Sequence, residues 1–333
     1  MNSNDYGTCV ITFDNRGKAT VKVTGKGKFE GYTCNGNSTN MECIKGEIPG
    51  SPETAAQYFS YSEVEGGVSI TGYNIEGGLD VVIPSEINGK KVVGIADYAF
   101  TTNGITPTNI SNTKKVMPSY LNNNKKDVVA IPLAELIADG LGITSVVIPS
   151  TVKSIGDFAF DANKLTEVTI PSSVISIGNH AFSSNQLTEV VIPSSVTSID
   201  AGAFTCNHLT KVVIPNTVTS IGDNAFTDNH LTEVTIPSSV ISIGNHAFTD
   251  NHLTKVVIPN TVTSIGKNAF SRNQLTEVVI PSSVTSIGIG AFAGNQGITI
   301  INNSSIENTY DVWNKIISRD ISIDGNVIKH NSK

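Results

Sequence analysis

A proline, a phenylalanine and an asparagine each return at a fixed step of 22 residues, and no other feature restricts the fold as strongly. Pro149, Pro171, Pro193, Pro215, Pro237, Pro259 and Pro281 keep that step of 22, as do the phenylalanines from Phe160 to Phe292 and the asparagines from Asn163 to Asn295. Seven units fill residues 143–296, reading L-T-x-V-x-I-P-x-x-V-x-S-I-G-x-x-A-F-x-x-N-x, and residues 165–182 recur unchanged at 231–248. A constant period of about 20–29 residues implies a solenoid, whose single unit cannot bury its apolar face without a neighbour on each side.

The unit has a direct physical reading. Along Leu165-x-x-Val168-x-Ile170, strand alternation turns Val168 and Ile170 inward and leaves Glu167 and Thr169 outside. Pro171 lacks an N–H and should stop the strand. Val174 and Ile177 supply an inward pair on the opposite wall, Gly178 permits a turn, and Phe182 fills the core. Asn185 sits at a corner, where a buried amide satisfies turn backbone groups, and the stacked asparagines repeat that service in every coil.

The string I-P-S-x-V-x-S-I-G-x-x-A-F resembles the BspA-like leucine-rich repeats, also called the Treponema pallidum-type repeat. Residues 79–100 are similar to that family's longer first unit, and residues 58–80, with Gly66-Gly67 and the run Val68 to Tyr73, are similar to its N-terminal β cap. The family often carries Cys where this chain has Asn163 to Asn295, a departure that leaves the fold intact. The resemblance implies a β-rich leucine-rich-repeat solenoid, a right-handed coil with a parallel strand ladder. It also implies a bacterial cell-surface or secreted adhesion protein, virulence-associated, with a host or neighbouring-cell protein or glycan as partner.

Outside the array the chain divides at 1–57, a small all-β module; 58–106, cap and irregular first repeat; 107–142, an insertion; and 297–333, a C-terminal cap. In the first module residues 9–13, 19–24 and 28–34 read as strands, with turns at Asn15-Arg16-Gly17 and Asn35-Gly36, and residues 46–52 as a linker. Cys9, Cys34 and Cys43 crowd together there, which suggests one disulfide of unassigned pairing and an oxidising compartment; reduced thiols are the alternative. The insertion has a polar first part (107–124) and a short amphipathic helix over 132–140, with Met117, Tyr120 and Leu121 as anchoring side chains. It is either an added contact surface or a structural plug on the first coil. Residues 306–318 show a helical rhythm through Tyr310, Trp313, Ile316 and Ile317, either closing the solenoid or meeting a partner.

A net charge of −7 without a Lys/Arg block argues against nucleic acid. No apolar run approaches the ~18–20 residues of a spanning helix, so membrane insertion is not expected. The polar start, residues 1–7, carries no signal peptide, and an extracellular or cell-surface location implies an export signal removed before this point.

Exposed positions form columns at about 4.8 Å spacing. One column is Glu167, Glu189, Lys211, Glu233, Lys255 and Glu277; beside it run Thr169, Val191, Val213, Thr235, Val257 and Val279. The first is either a set of modest cross-coil ion pairs or a ligand-facing stripe, and the second either strand propensity or a mildly apolar groove. His208, His230 and His252 form another column, with His180 and His246 at a second position, but residues on a line do not make a tetrahedral metal site, so no metal is expected. No G-x-S-x-G, H-E-x-x-H, C-x-x-C or P-loop is present, and repeated residues lack the unique surroundings a catalytic group needs. The expectation is a non-enzymatic binding scaffold without cofactors. The alternative is a spacer projecting residues 1–57, which would then carry the specificity.

Overall fold

The computed structural model describes residues 53–101, 140–317 and 321–330, and the backbone strands at 8–13, 19–24, 33–37 and 40–44. The expected linker at 46–52, the turn at Asn15-Arg16-Gly17, the side chains of Met117, Tyr120 and Leu121, and the helix over 132–139 lie outside the described residues. Two compact units are present, Met1–Glu53 and Thr54–Lys333.

The first unit is a four-stranded antiparallel sheet in the order Thr8–Phe13, Ala19–Thr24, Asn40–Ile44, Thr33–Asn37. The turn expected at Asn35-Gly36 does not occur there. Asn35 pairs with Glu42, Gly36 with Met41 and Asn37 with Asn40, so the strand runs through the Asn-Gly pair and two residues separate the strand ends. The strand pairing therefore carries the chain through the Asn-Gly pair in extended form. Cys34 and Cys43 are register partners in this pairing.

The second unit is the solenoid. One wall is the parallel ladder of short strands Asp80–Val82, Ser145–Val147, Glu189–Val191, Lys211–Val213, Glu233–Thr235, Lys255–Val257, Glu277–Ile280 and Thr299–Asn302. The opposite wall carries the two-residue Ser-Ile strands, parallel from Lys90–Ile95 through Ser154–Ile155 to Ser286–Ile287. Between the walls Val174, Ile177, Ala181 and Phe182 are at most 2% exposed, and the same positions repeat in the other coils.

Two interactions set the distance and register between coils. The phenylalanines stack from Phe100 to Phe292 with ring centroids 4.7–5.7 Å apart and planes within 15° of parallel. The asparagines bind across coils. Asn229 Oδ1 accepts from the Leu209 N–H at 3.0 Å, while its Nδ2 donates to the carbonyls of Phe204 (2.9 Å) and Phe226 (3.3 Å). The other coils repeat this arrangement from Asn163 to Asn295, all buried. Each amide thereby serves the backbone of the preceding coil as well as its own, a stronger role than corner filling.

The insertion leaves this stack unbroken. Phe100 lies on Phe160 at 4.7 Å, Asn163 Nδ2 donates to the Phe100 carbonyl, and Thr101 bridges Gly140 across the gap. Asp80 ties the same two coils from the outside, its Oδ1 accepting from Thr144 and Ser145, and these bonds hold its carboxyl below the usual range. A long excursion costs little extra closure entropy when its ends are already held together.

Both ends of the array are covered. At the start, Phe59–Val64 and Gly67–Tyr73 form an antiparallel hairpin whose second strand joins Lys90–Ile95 in parallel. Burial pushes the Tyr73 hydroxyl, which donates to the Gly78 carbonyl, up to about 12. At the finish, the helix Tyr310–Ile317 stands where the next coil would be: Lys315 and Ile316 carbonyls accept from Gly290 and Phe292. Trp313 is fully enclosed, with Nε1 donating to Asn308, so its ring is closed to a partner. The hairpin of Ile321–Asp324 and Val327–His330 pairs antiparallel with Thr299–Asn302 and ends the ladder.

The turn role given to Gly178 is corrected by the structure. Gly178 is not left-handed; a Cβ there would lie 2.4 Å from Asp157 Oδ1 and 2.7 Å from Asp157 N, so the glycine permits close approach of the preceding coil. The chain turns instead at left-handed residues two and six positions later, His180 and Ser184 in this coil, both at φ 53. Glycine occupies such positions at Gly202, Gly290 and Gly294, whereas Phe158, Asn224, Asp250 and Arg272 accept the strain. Two opposite outcomes are expected in urea denaturation. Gly244→Ala, whose Cβ would sit 2.6 Å from Asp223 N, should lose about 1–3 kcal/mol. Ser184→Gly should gain up to about 1 kcal/mol. The reverse signs would place the turn back at the Ser-Ile-Gly step.

Candidate interaction surface

The ladder strands turn two residues outward per coil. Glu189, Lys211, Glu233, Lys255 and Glu277 are exposed, and the register sets Glu189 beside Lys211 and Glu233 beside Lys255. The second column is more open than strand propensity demands: Val191 is 61% exposed, Val213 43%, Val257 63% and Val279 42%. Thr169 and Thr235 are exposed in the same column, with Thr235 the register partner of Val257. All twelve residues singled out from sequence thus share one face, with Glu167 and Thr169 in the coil where Thr169 bridges Val147.

The face extends beyond those twelve. Asp80 and Ser145 precede Glu167 in the charged column, and Thr299 follows Glu277 as its register partner. Thr299 pairs with Lys329, and Lys329 with Ser322, so the C-terminal hairpin prolongs the column. Ile301, partner of Val279, and Val327, partner of Ile301, prolong the apolar one. No repeat motif marks the hairpin, so only the paired register places it here.

Other columns line the remaining sides. His208, His230 and His252 stack with ring centroids 5.4 and 5.5 Å apart and are exposed. Among the described residues no group of three or more His, Cys, Asp or Glu could hold a metal ion. A shallow trough of about 500 Å³ crosses four coils of the second wall, floored by Ser and Gly of the Ser-Ile-Gly steps and edged by Asp223, Asn245 and Lys267. Along that edge Asp157 Oδ1 accepts from the Asn179 N–H (2.7 Å), Asn179 Oδ1 from Ala201 N–H (3.1 Å), and Asp223 Oδ1 from Asn245 N–H (2.7 Å).

Sequence reasoning passed over a third stack. Tyr98, Phe158 and His180 lie ring on ring at 5.0 and 4.8 Å, each two residues before a core phenylalanine, and that shared offset was the available signal. Ile175 and Ile241, each just before a Ser-Ile strand, are 59% and 50% exposed, and Ile289, in the turn after the last such strand, is 61% exposed. Cys206 is an exposed free thiol, pushed up by partial burial. Among the described residues no helix is long and apolar enough to cross a membrane.

The strand face makes a stability prediction of its own. Val257→Thr and Glu189→Gln each exchange one group on a solvent-facing side chain, so each should change the unfolding free energy by less than about 0.5 kcal/mol. A larger loss would mean that the face is needed for folding and is not free for a partner.

The family described as BspA type leucine rich repeat region matches the chain in six copies, over residues 137–254 and 242–315. Solved structures similar to it include a leucine-rich repeat protein from Bacteroides ovatus, at 23% identity over 75% of this chain and 71% of that one, TM-score 0.47. A leucine rich cell surface protein from Faecalibacterium prausnitzii shares 25% identity over 78% of each chain, TM-score 0.43. The leucine rich repeat protein of T. pallidum shares 24% over 73% of this chain and 89% of its own, TM-score 0.37. No curated protein matches. The repeat match over 137–315 alone carries the assignment.

Proposed function

The chain belongs to the family of BspA-type leucine-rich repeat proteins, and from that premise we propose that it is a non-enzymatic adhesion scaffold, exported to the cell surface or beyond, whose ladder face holds a protein or glycan partner. The observation that supports this reading is the pair of exposed columns. A row of valines 42–63% open to solvent, beside an orderly row of charges, is more apolar surface than the ladder needs for its own stability. The face has no aromatic anchor among its twelve residues, so affinity comes from a broad contact or from many copies displayed together.

A second reading has one observation in its favour. Residues 1–53 form a compact unit of their own, and in this reading the solenoid is a spacer that projects it. The two readings separate in one experiment: a glycan and host-protein array probed with the whole chain, with Val191→Asp plus Val257→Asp, and with residues 107–141 deleted. Binding that falls at least about tenfold in the valine variant supports the ladder face. Binding untouched by that variant overturns it and favours the first unit, and binding lost only on the deletion assigns the contact to the insertion.

A further inference from the structure

The order of charges along the ladder face has a symmetry that the repeat does not require. After Asp80, which overhangs the pairing, the outward column reads in spatial order Ser145, Glu167, Glu189, Lys211, Glu233, Lys255, Glu277, Thr299, Lys329, Ser322. Turned end for end about the midpoint between Glu233 and Lys255, the column meets its own complement. Glu233 then faces Lys255, Lys211 faces Glu277, and Glu167 faces Lys329. Glu189 faces Thr299 and Ser145 faces Ser322, so no like charges meet. Moving the midpoint one or two coils toward the N-terminus sets Glu167 against Glu277 or Glu233, and moving it one or two coils toward the C-terminus sets Lys211 or Lys255 against Lys329, so the complement belongs to one register. The apolar column agrees with it: Val213 faces Val279, Val191 faces Ile301, and Thr235 faces Val257.

We propose that the partner of the ladder face is a second copy of this chain, bound face to face with the solenoids antiparallel, about a two-fold axis parallel to the strands between Glu233 and Lys255. This rests on the reading of the ladder as the interaction surface and names its occupant. The geometry is self-consistent. A two-fold axis along the strands keeps strand direction and reverses coil order, so the charged column meets the charged column and the valines meet valines or their neighbours. The contact is isologous, so every pair occurs twice. Charge complementarity of this kind fixes register and rejects wrong pairings more than it adds affinity. Ten positions at about 4.8 Å give a footprint near 43 Å long and roughly 14 Å wide. That is roughly 600 Å² per copy, below the ~800 Å² of a standard stable complex. The dimer is therefore weak in dilute solution and populated where copies are crowded, as between two surfaces that both display it.

The test is sedimentation of the full chain, with reductant present to keep Cys206 from cross-linking, from about 5 to about 500 µM, where weak complexes of this size are populated. Self-association should appear across that range and weaken as salt rises from about 50 to about 500 mM. Lys211→Glu or Glu277→Lys alone places like charges across the two-fold axis twice and should weaken association at least about tenfold. The two together should restore it to within about threefold. Lys211 and Glu277 lie three coils apart in one chain, about 14 Å, so restoration cannot arise within a single copy. A monomer at every concentration, or a double variant no better than its singles, overturns the pairing. Neither outcome decides whether the ladder face also holds another protein or a glycan, which the array scores separately. An unchanged circular dichroism melt in each variant confirms that folding is not what was altered.

Discussion

Everything in the solenoid depends on one contact, the seating of each coil's Phe–Asn corner on the coil before it. The phenylalanine supplies area: a ring enclosed on both faces by its neighbours is worth roughly 1.5–3 kcal/mol of burial per coil. The asparagine supplies register. Its amide is buried, and leaving such a group unsatisfied costs about 1–3 kcal/mol, so a coil displaced along its own path would forfeit the bonds at Leu209 N and Phe204 O together. Burial alone tolerates slippage. Burial with a buried amide that must reach two coils does not.

Once that register is fixed, the outer surface follows without further instruction. Each outward position becomes a row of neighbours one coil apart, and substitutions there alter the row without touching the core. The insertion after Thr101 illustrates the separation: Phe100 still lies on Phe160, and Asn163 still reaches the Phe100 carbonyl. Stability is accordingly a sum over neighbouring coils, with the hairpin at Phe59–Tyr73 and the helix at Tyr310–Ile317 closing ends that would otherwise expose an apolar cross-section.

The core was legible in the sequence because it repeats. Val174, Ile177, Phe182 and Asn185 could each be placed from period and polarity, and they are where the alternation puts them. The turns were not legible. Left-handed backbone is filled by Phe158 and His180 at one turn position and by Ser184 and Arg272 at the other, so no single residue type marks either, and the repeated glycine drew the role to itself while serving close approach. In the first unit the Asn-Gly signal misled because strand pairing to Asn40–Ile44 carried the chain past it. The twelve candidate face residues were readable as columns, but the extension through Thr299 and Lys329 was not, since an antiparallel hairpin outside the repeat supplies it.

Amide hydrogen exchange across five of the six leucines bonded to a following asparagine, Leu187, Leu209, Leu231, Leu253 and Leu275, tests the coil-to-coil account most directly. In the native chain all five should be strongly protected. Replacing Asn229 by alanine should speed exchange at Leu209 by at least about tenfold while Leu275, three coils away, keeps its protection. Equal acceleration at all five, or none at Leu209, would contradict the claim that each asparagine holds the leucine one turn before it.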